Sequence, residues 1–133
     1  MKILGFNRVE LIVREDEIHD AIAQFNELLG LNLPQPHAIE GHPVLSATDA
    51  KGHVEFVAPI DGGGGFGAKL AAHGGGQIGP LVWEVDDIEE AKQWATSKGI
   101  TIVFEFTSET GIRQIHFDPD QFFGYGVTLT QLP

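Results

Sequence analysis

Apolar and polar residues alternate from Gly5 to Val13, with Val9, Leu11 and Val13 on one side and Arg8, Glu10 and Ile12 on the other. That period of two predicts a strand. The period then becomes helical from about Asp16 to Leu29. Ile18, Ala21, Ile22, Phe25, Leu28 and Leu29 form the expected buried stripe, Asp16 is the expected N-cap, and Gly30 is the stop. Pro34, Pro36 and Pro43 make the stretch from 31 to 43 an irregular segment or an edge strand. Val44–Thr48 and His53–Ala58 read as strands on either side of a turn at Asp49–Gly52.

The same order returns later in the chain. Leu81–Val85 is a predicted strand, and Asp86 or Asp87 caps a helix with Ile88, Ala91, Trp94 and Ala95 toward the core. Glu90, three residues after Asp87, suits a capping box, and Gly99 closes the helix. Ile100–Glu105, Ile112–Phe117 and Val127–Leu132 are the last three predicted strands. Val9, Leu11 and Val13 match Leu81, Trp83 and Val85 at a constant offset of 72 residues, so one supersecondary module occurs twice. The predicted class is α+β: a single domain over 1–133, with one βαβββ module over 1–60, a connector over 61–77 and a second βαβββ module over 78–133. The connector carries Gly62–Gly65 and Gly74–Gly76 around a short predicted helix at about Ala68–Ala72.

Composition narrows the chemistry. A chain of 133 residues with 42% apolar content is long enough for a real core. It has no cysteine, which removes disulfides and thiolate metal sites. A net charge of −11 with eight basic residues gives little with which to displace counterions from phosphates, so nucleic acid is not an expected partner. No leader pattern and no membrane-length apolar run are present, so a soluble cytoplasmic protein is expected, without a membrane partner. The Gly62–Gly65 run is not a phosphate loop: Gly67 is followed by Ala68 and Lys69 rather than by the Gly-Lys-Ser/Thr ending.

Three motifs, taken in order and spacing, carry a family resemblance. They are the Val9-x-Leu11-x-Val13 strand with its helix ending in Leu29-Gly30, the Glu84–Ala91 strand-to-helix run, and the Phe117-Asp118-Pro119-Asp120 turn before Gly126-Val127-x-Leu129. Together they resemble the vicinal oxygen chelate superfamily of glyoxalases, methylmalonyl-CoA epimerases, extradiol dioxygenases and bleomycin-resistance proteins, with the epimerase-like branch nearest. The resemblance covers essentially the whole chain. It implies two modules whose curved sheets surround a cup, commonly in a homodimer. It also implies one divalent metal held by the first and last strands of each module. Those positions fall on Arg8, Pro80, Glu55 and Thr128 or Thr130. Arginine offers no lone pair, proline no donor, and threonine is a poor ligand, so only Glu55 fits and no metal or other cofactor is expected.

Strand parity puts Arg8 and Glu10 on the cup face of the first strand, and His53, Glu55 and Val57 together on another. A guanidinium in the metal's place supplies fixed positive charge for a carboxylate, carbonyl or enolate oxygen. The expected function is proton transfer on a small organic carbonyl or acid, as an isomerase, epimerase or lyase. Arg8 would hold the oxyanion, and Glu55 or else Glu10 would be the base. His116, before Asp118-Pro-Asp120, is a candidate partner. Substrate contacts are expected from His53, Val82, Phe122, Phe123, Tyr125, Thr128 and Thr130. His19, His37, His42 and His73 read as solvated surface. Two alternatives stand beside this reading: a binding protein that sequesters a drug, and a metal-dependent epimerase or dioxygenase with rearranged ligands such as Glu10, His53, Glu55 and His116.

Overall fold

The first alternating stretch forms strand β1 (Ile3–Ile12), and the helical stretch forms α1 (Ile18–Leu29). Then come β2 (His37–Ile39), β3 (His42–Asp49), β4 (Val54–Pro59), a 3-10 turn at Ile60–Gly62 and α2 (Gly64–His73). The remainder is β5 (Gln77–Val85), α3 (Ile88–Ser97), β6 (Ile102–Thr107), β7 (Arg113–Phe117), a 3-10 turn at Pro119–Phe122 and β8 (Val127–Gln131). This computed structural model describes all residues from Met1 to Pro133. The fold class is α+β, as the alternation of periods predicts.

The chain divides into two compact units: Arg8–Gly79, and Met1–Asn7 together with Pro80–Pro133. In the first, the strands run in the order β2-β3-β4-β1. β1 and β4 are parallel with Glu10 opposite Glu55 and Ile12 opposite Val57, while β3 and β4 are antiparallel with Ser46 opposite Val57. This register gives the sheet two different faces. One packs Phe56, Ala58 and Ala47 against Ile18 and Ile22 of α1 and against Leu33. Arg8, Glu10, Ile12, Ser46, Glu55 and Val57 alternate with those residues along their strands, are all buried, and occupy the face away from α1.

In the second unit the order is β5-β8-β7-β6. Ile88, Ala91 and Ala95 of α3 close a core over Val85, Ile115, Phe117 and Leu129. On the other sheet face, Val82 pairs with Thr128, Glu84 with Thr130, and His116 with both Thr128 and Phe104.

Several details depart from the sequence expectations. Asp16 does not cap α1: Glu17 holds the cap position without a side-chain cap bond, and Asp16 instead pairs with Arg14. Leu28 and Leu29 are 74% and 58% exposed rather than buried. Gly30 turns the chain in the left-handed region at φ 66°, and Leu33, tied to Asn26 through both backbone polar groups, fills the core position in their stead. Trp94 is exposed because Ala91 and Ala95, one turn apart, supply the buried edge of α3. The connector helix is longer than expected, starting on Gly64. Asp87, of the two candidates, caps α3, accepting from the backbone N–H of Glu89 and Glu90 at 2.8 and 3.1 Å.

Candidate active site

Three long side chains converge on the face away from α1. Arg8 Nε donates to Glu55 Oε1 at 2.5 Å, and Arg8 Nη2 donates to Glu10 Oε1 at 3.0 Å. Strand geometry explains the meeting. Arg8 and Glu10 are i and i+2 on β1, and Glu10 and Glu55 are register partners on adjacent parallel strands. The planar fork of the guanidinium spans both carboxylates. Ser46 adds a fourth member, donating from Oγ to Glu55 Oε2 at 2.7 Å.

The two carboxylates are thereby made unequal. Both oxygens of Glu55 are engaged, one by Arg8 and one by Ser46. Glu10 has one oxygen on Arg8, its Oε2 is buried with no donor aimed at it, and its carboxyl also lies within hydrogen-bond reach of Glu55. Burial, and then the negative charge of Glu55, push the Glu10 carboxyl up to about 8, against the pull of Arg8. Burial favours the neutral form of Arg8, but Glu55 and Glu10 outweigh it and hold the guanidinium above its usual pKa. At neutral pH the cluster therefore has Arg8 positive and Glu10 mostly protonated.

The first unit thus brings together Arg8, Glu10 and Glu55, three of the expected residues. His53 does not join them. It lies exposed in the turn before β4 with φ 57°, and its carbonyl accepts from the Val9 N–H at 3.0 Å. Two participants were missed. Ser46 is visible only once β3 is set in register against β4. His42, expected at the surface, opens β3 half-buried; its ring lies flat on Phe66 of α2 at 6.1 Å and 21°. Burial lowers the His42 pKa, against the charge of Glu55.

The remaining expected residues lie in the second unit. His116 Nδ1 and Thr128 Oγ1 are 2.9 Å apart, and Phe104 meets the His116 ring edge-on at 5.3 Å. Val82, Thr128 and Thr130 are fully buried, and Thr130 Oγ1 donates to the Arg113 carbonyl at 3.4 Å. The expected aromatic wall separates: Phe122 stacks on Phe117 at 5.4 Å beside the core, whereas Phe123 and Tyr125 are 95% and 68% exposed.

A divalent cation does not suit these donors. Glu10 and Glu55 already share one guanidinium, whose charge repels a cation, and no group of three or more His, Asp or Glu side chains is placed to hold one. Of the rearranged set, His53 sits in an exposed turn, away from the pair Glu10 and Glu55.

A family model described as the Glyoxalase/Bleomycin resistance protein/Dioxygenase superfamily matches residues 7–117. The chain belongs to this superfamily. Among solved structures, it is similar to methylmalonyl-CoA epimerase from Mycobacterium tuberculosis, with TM-score 0.85 and 18% identity, covering 98% of this chain and 89% of that one. A Streptomyces coelicolor methylmalonyl-CoA epimerase variant in complex with 2-nitronate-propionyl-CoA gives TM-score 0.84 and 13% identity, with 98% and 99% covered. A hypothetical protein from Bacillus halodurans C-125 gives 0.83 and 17%, with 96% and 94% covered. No curated protein matches the chain. At these identities the likeness establishes the glyoxalase-like fold, and the chemistry has to be argued from the superfamily member's own residues. No helix is long and apolar enough to cross a membrane.

Proposed function

We propose that this superfamily member moves a proton at the carbon beside a carbonyl of a small organic acid or ester, without a metal. The observation that carries the reading is Glu10: a buried carboxyl with one oxygen on Arg8, the other met by no donor, and its pKa pushed up to about 8 by burial and by Glu55. A carboxylate of raised pKa is a stronger base than an ordinary one, and a useful fraction of it, about a tenth at pH 7, is ionised. Glu10 takes the proton from carbon, and the electron pair of the broken C–H bond moves into the carbonyl to give an enolate. The Arg8 charge faces the developing oxyanion. Return of the proton from Glu10 to the same or a neighbouring carbon completes an isomerisation. Glu55, held by Arg8 and Ser46, fixes the guanidinium and is not the base.

The epimerases among the structural neighbours act on a methylmalonyl thioester, so methylmalonyl-CoA and small α-branched acids are the first substrates to try. Each is incubated with the protein in D2O and followed by proton NMR. The expected result is loss of the α-proton signal, abolished in Glu10→Gln while thermal unfolding stays cooperative. Exchange that persists in Glu10→Gln would overturn the assignment. A panel member bound one-to-one without exchange would move the site to sequestration instead.

A further inference from the structure

We propose that Ser46 is a positioning residue for the proton transfer: through Glu55 it fixes the plane in which the Arg8 guanidinium meets the developing oxyanion. This deepens the proton-transfer reading and rests on its placing Arg8 at that oxygen.

The connection is short and buried. Ser46 Oγ donates to Glu55 Oε2 at 2.7 Å, and Arg8 Nε donates to Glu55 Oε1 at 2.5 Å. All three residues are buried, so little solvent is at hand to replace a lost bond.

Strand register sets the directions. Glu55 stands in one row with Thr48 of β3 and Glu10 of β1. Ser46 lies two residues to one side of that row, opposite Val57, and Arg8 lies two residues to the other side, before Glu10 on β1. Glu55 is therefore held from two opposite corners. Such diagonal neighbours are within reach of a long side chain. Thr48, the direct neighbour in register, is exposed, and the Glu55 carboxyl is turned to the buried serine instead.

The need for an anchor follows from torsions. The last torsion of a glutamate is broad, without three sharp staggered wells. A carboxyl held through one oxygen can swing and take its partner with it. Glu10 offers the guanidinium the looser hold, since no donor meets its Oε2. Glu55 offers the firmer one, because its second oxygen ends on Ser46. Ser46 is the fixed end: its hydroxyl is one torsion from the backbone of β3, an inner strand on which it stands between His37 of β2 and Val57 of β4. A group that must face a developing charge works by being in place beforehand, and a small misplacement is costly.

The test compares Ser46→Ala with Ser46→Thr, which keeps the hydroxyl, and with Ser46→Cys, which keeps the size and a weak donor. Arg8 is one of three arginines, and Arg14 and Arg113 have exposed side chains, so the slowly exchanging Nε–H signal belongs to Arg8; its absence in Arg8→Lys confirms the assignment. In Ser46→Ala this Nε–H is expected to exchange about tenfold faster, measured relative to the backbone N–H groups of Val9 and Val13 on the same strand. With a substrate that the wild type exchanges in D2O, the maximal rate should fall about tenfold or more and KM should change far less, since the charge on oxygen develops after binding. Ser46→Thr should stay near the wild type in both readouts, and Ser46→Cys should lie between. A serine that served only to satisfy its own hydroxyl would lower the melting temperature and move neither readout. Unchanged Nε–H exchange in folded Ser46→Ala, or a looser Nε–H with an unchanged rate, would overturn the inference. The two readings fail separately: turnover that survives Ser46→Ala sinks Ser46 alone, whereas a wild type that exchanges no substrate sinks proton transfer, and the role of Ser46 in it as well.

Discussion

Glu10 and Glu55 stand opposite each other on parallel strands and share one arginine, yet only Glu55 is bonded through both oxygens. The serine one strand over makes the difference. It stabilises charge on Glu55, and that charge in turn helps push the Glu10 carboxyl up.

The first consequence is a pH dependence of stability. Glu10 titrates near 8 in the folded protein against an ordinary 4.5, so the native state binds a proton that the unfolded chain has released. The stabilisation is complete below pH 4.5 and is lost as pH rises through 8, with a slope of at most about 1.4 kcal/mol per pH unit. Glu10→Gln is expected to remove this slope and to gain on the wild type as pH increases. Urea midpoints at pH 5, 7 and 9 measure it. Parallel pH profiles for the two proteins would place Glu10 at an ordinary pKa.

Removing Arg8 leaves Glu55 buried with a charge and no cation. Arg8→Met is expected to cost about 3–5 kcal/mol at pH 8, the usual penalty of breaking a buried pair from one side. Adding Glu55→Gln should recover much of the stability, since the charge and its counter-charge then leave together. Chemical denaturation of both variants checks this; no recovery in the double variant would mean that Arg8 acts through packing of its stem rather than through charge.

The two helix starts give a contrast. Asp87 satisfies two backbone N–H groups of α3, whereas Glu17 makes no side-chain cap bond on α1. Asp87→Ala is expected to cost about 1 kcal/mol, and Glu17→Ala only a few tenths. Thermal melts of the two variants side by side decide it, and equal losses would contradict the capping assignment.

Glycine substitutions separate backbone crowding from side-chain crowding. At Gly67 the added methyl meets Gly62 backbone, with the carbonyl oxygen at 1.9 Å and its carbon at 2.3 Å. At Gly52 the nearest atoms are side-chain ends, Leu31 Cδ2 at 2.7 Å and Asp49 Oδ2 at 3.0 Å. Gly67→Ala should displace α2 and increase proteolytic cleavage between residues 62 and 76; Gly52→Ala should be tolerated with side-chain movement. Limited proteolysis distinguishes them, and an unaltered pattern in Gly67→Ala would show that α2 adjusts without loosening.

Most elements were legible because their signals are local. The period-two stretch of β1 puts Arg8, Glu10 and Ile12 on one face without reference to the rest of the chain, and their burial follows. Glu55 shares the parity of Val57 on β4 for the same reason. Ser46 and His42 were not legible, because their neighbours depend on how β3 registers against β4 and on where α2 lands. A hydrophobic stripe also overstated α1: it continues in sequence to Leu29, but Leu33 returns to the core instead. Asn26, which holds that return, carries no pattern a single sequence reveals.

The first seven residues belong with Pro80–Pro133, so the linear order of the chain is not its order of completion. Arg8–Gly79 is continuous, and its 72 residues hold the charged cluster entirely inside them. The other unit is discontinuous, drawing Met1–Asn7 from one side of that segment and Pro80–Pro133 from the other. A nick between Gly79 and Pro80 would therefore leave Met1–Asn7 on the fragment that holds the whole Arg8 cluster, apart from the Pro80–Pro133 stretch they belong with, whereas a circular permutation at the same bond would make that second unit continuous.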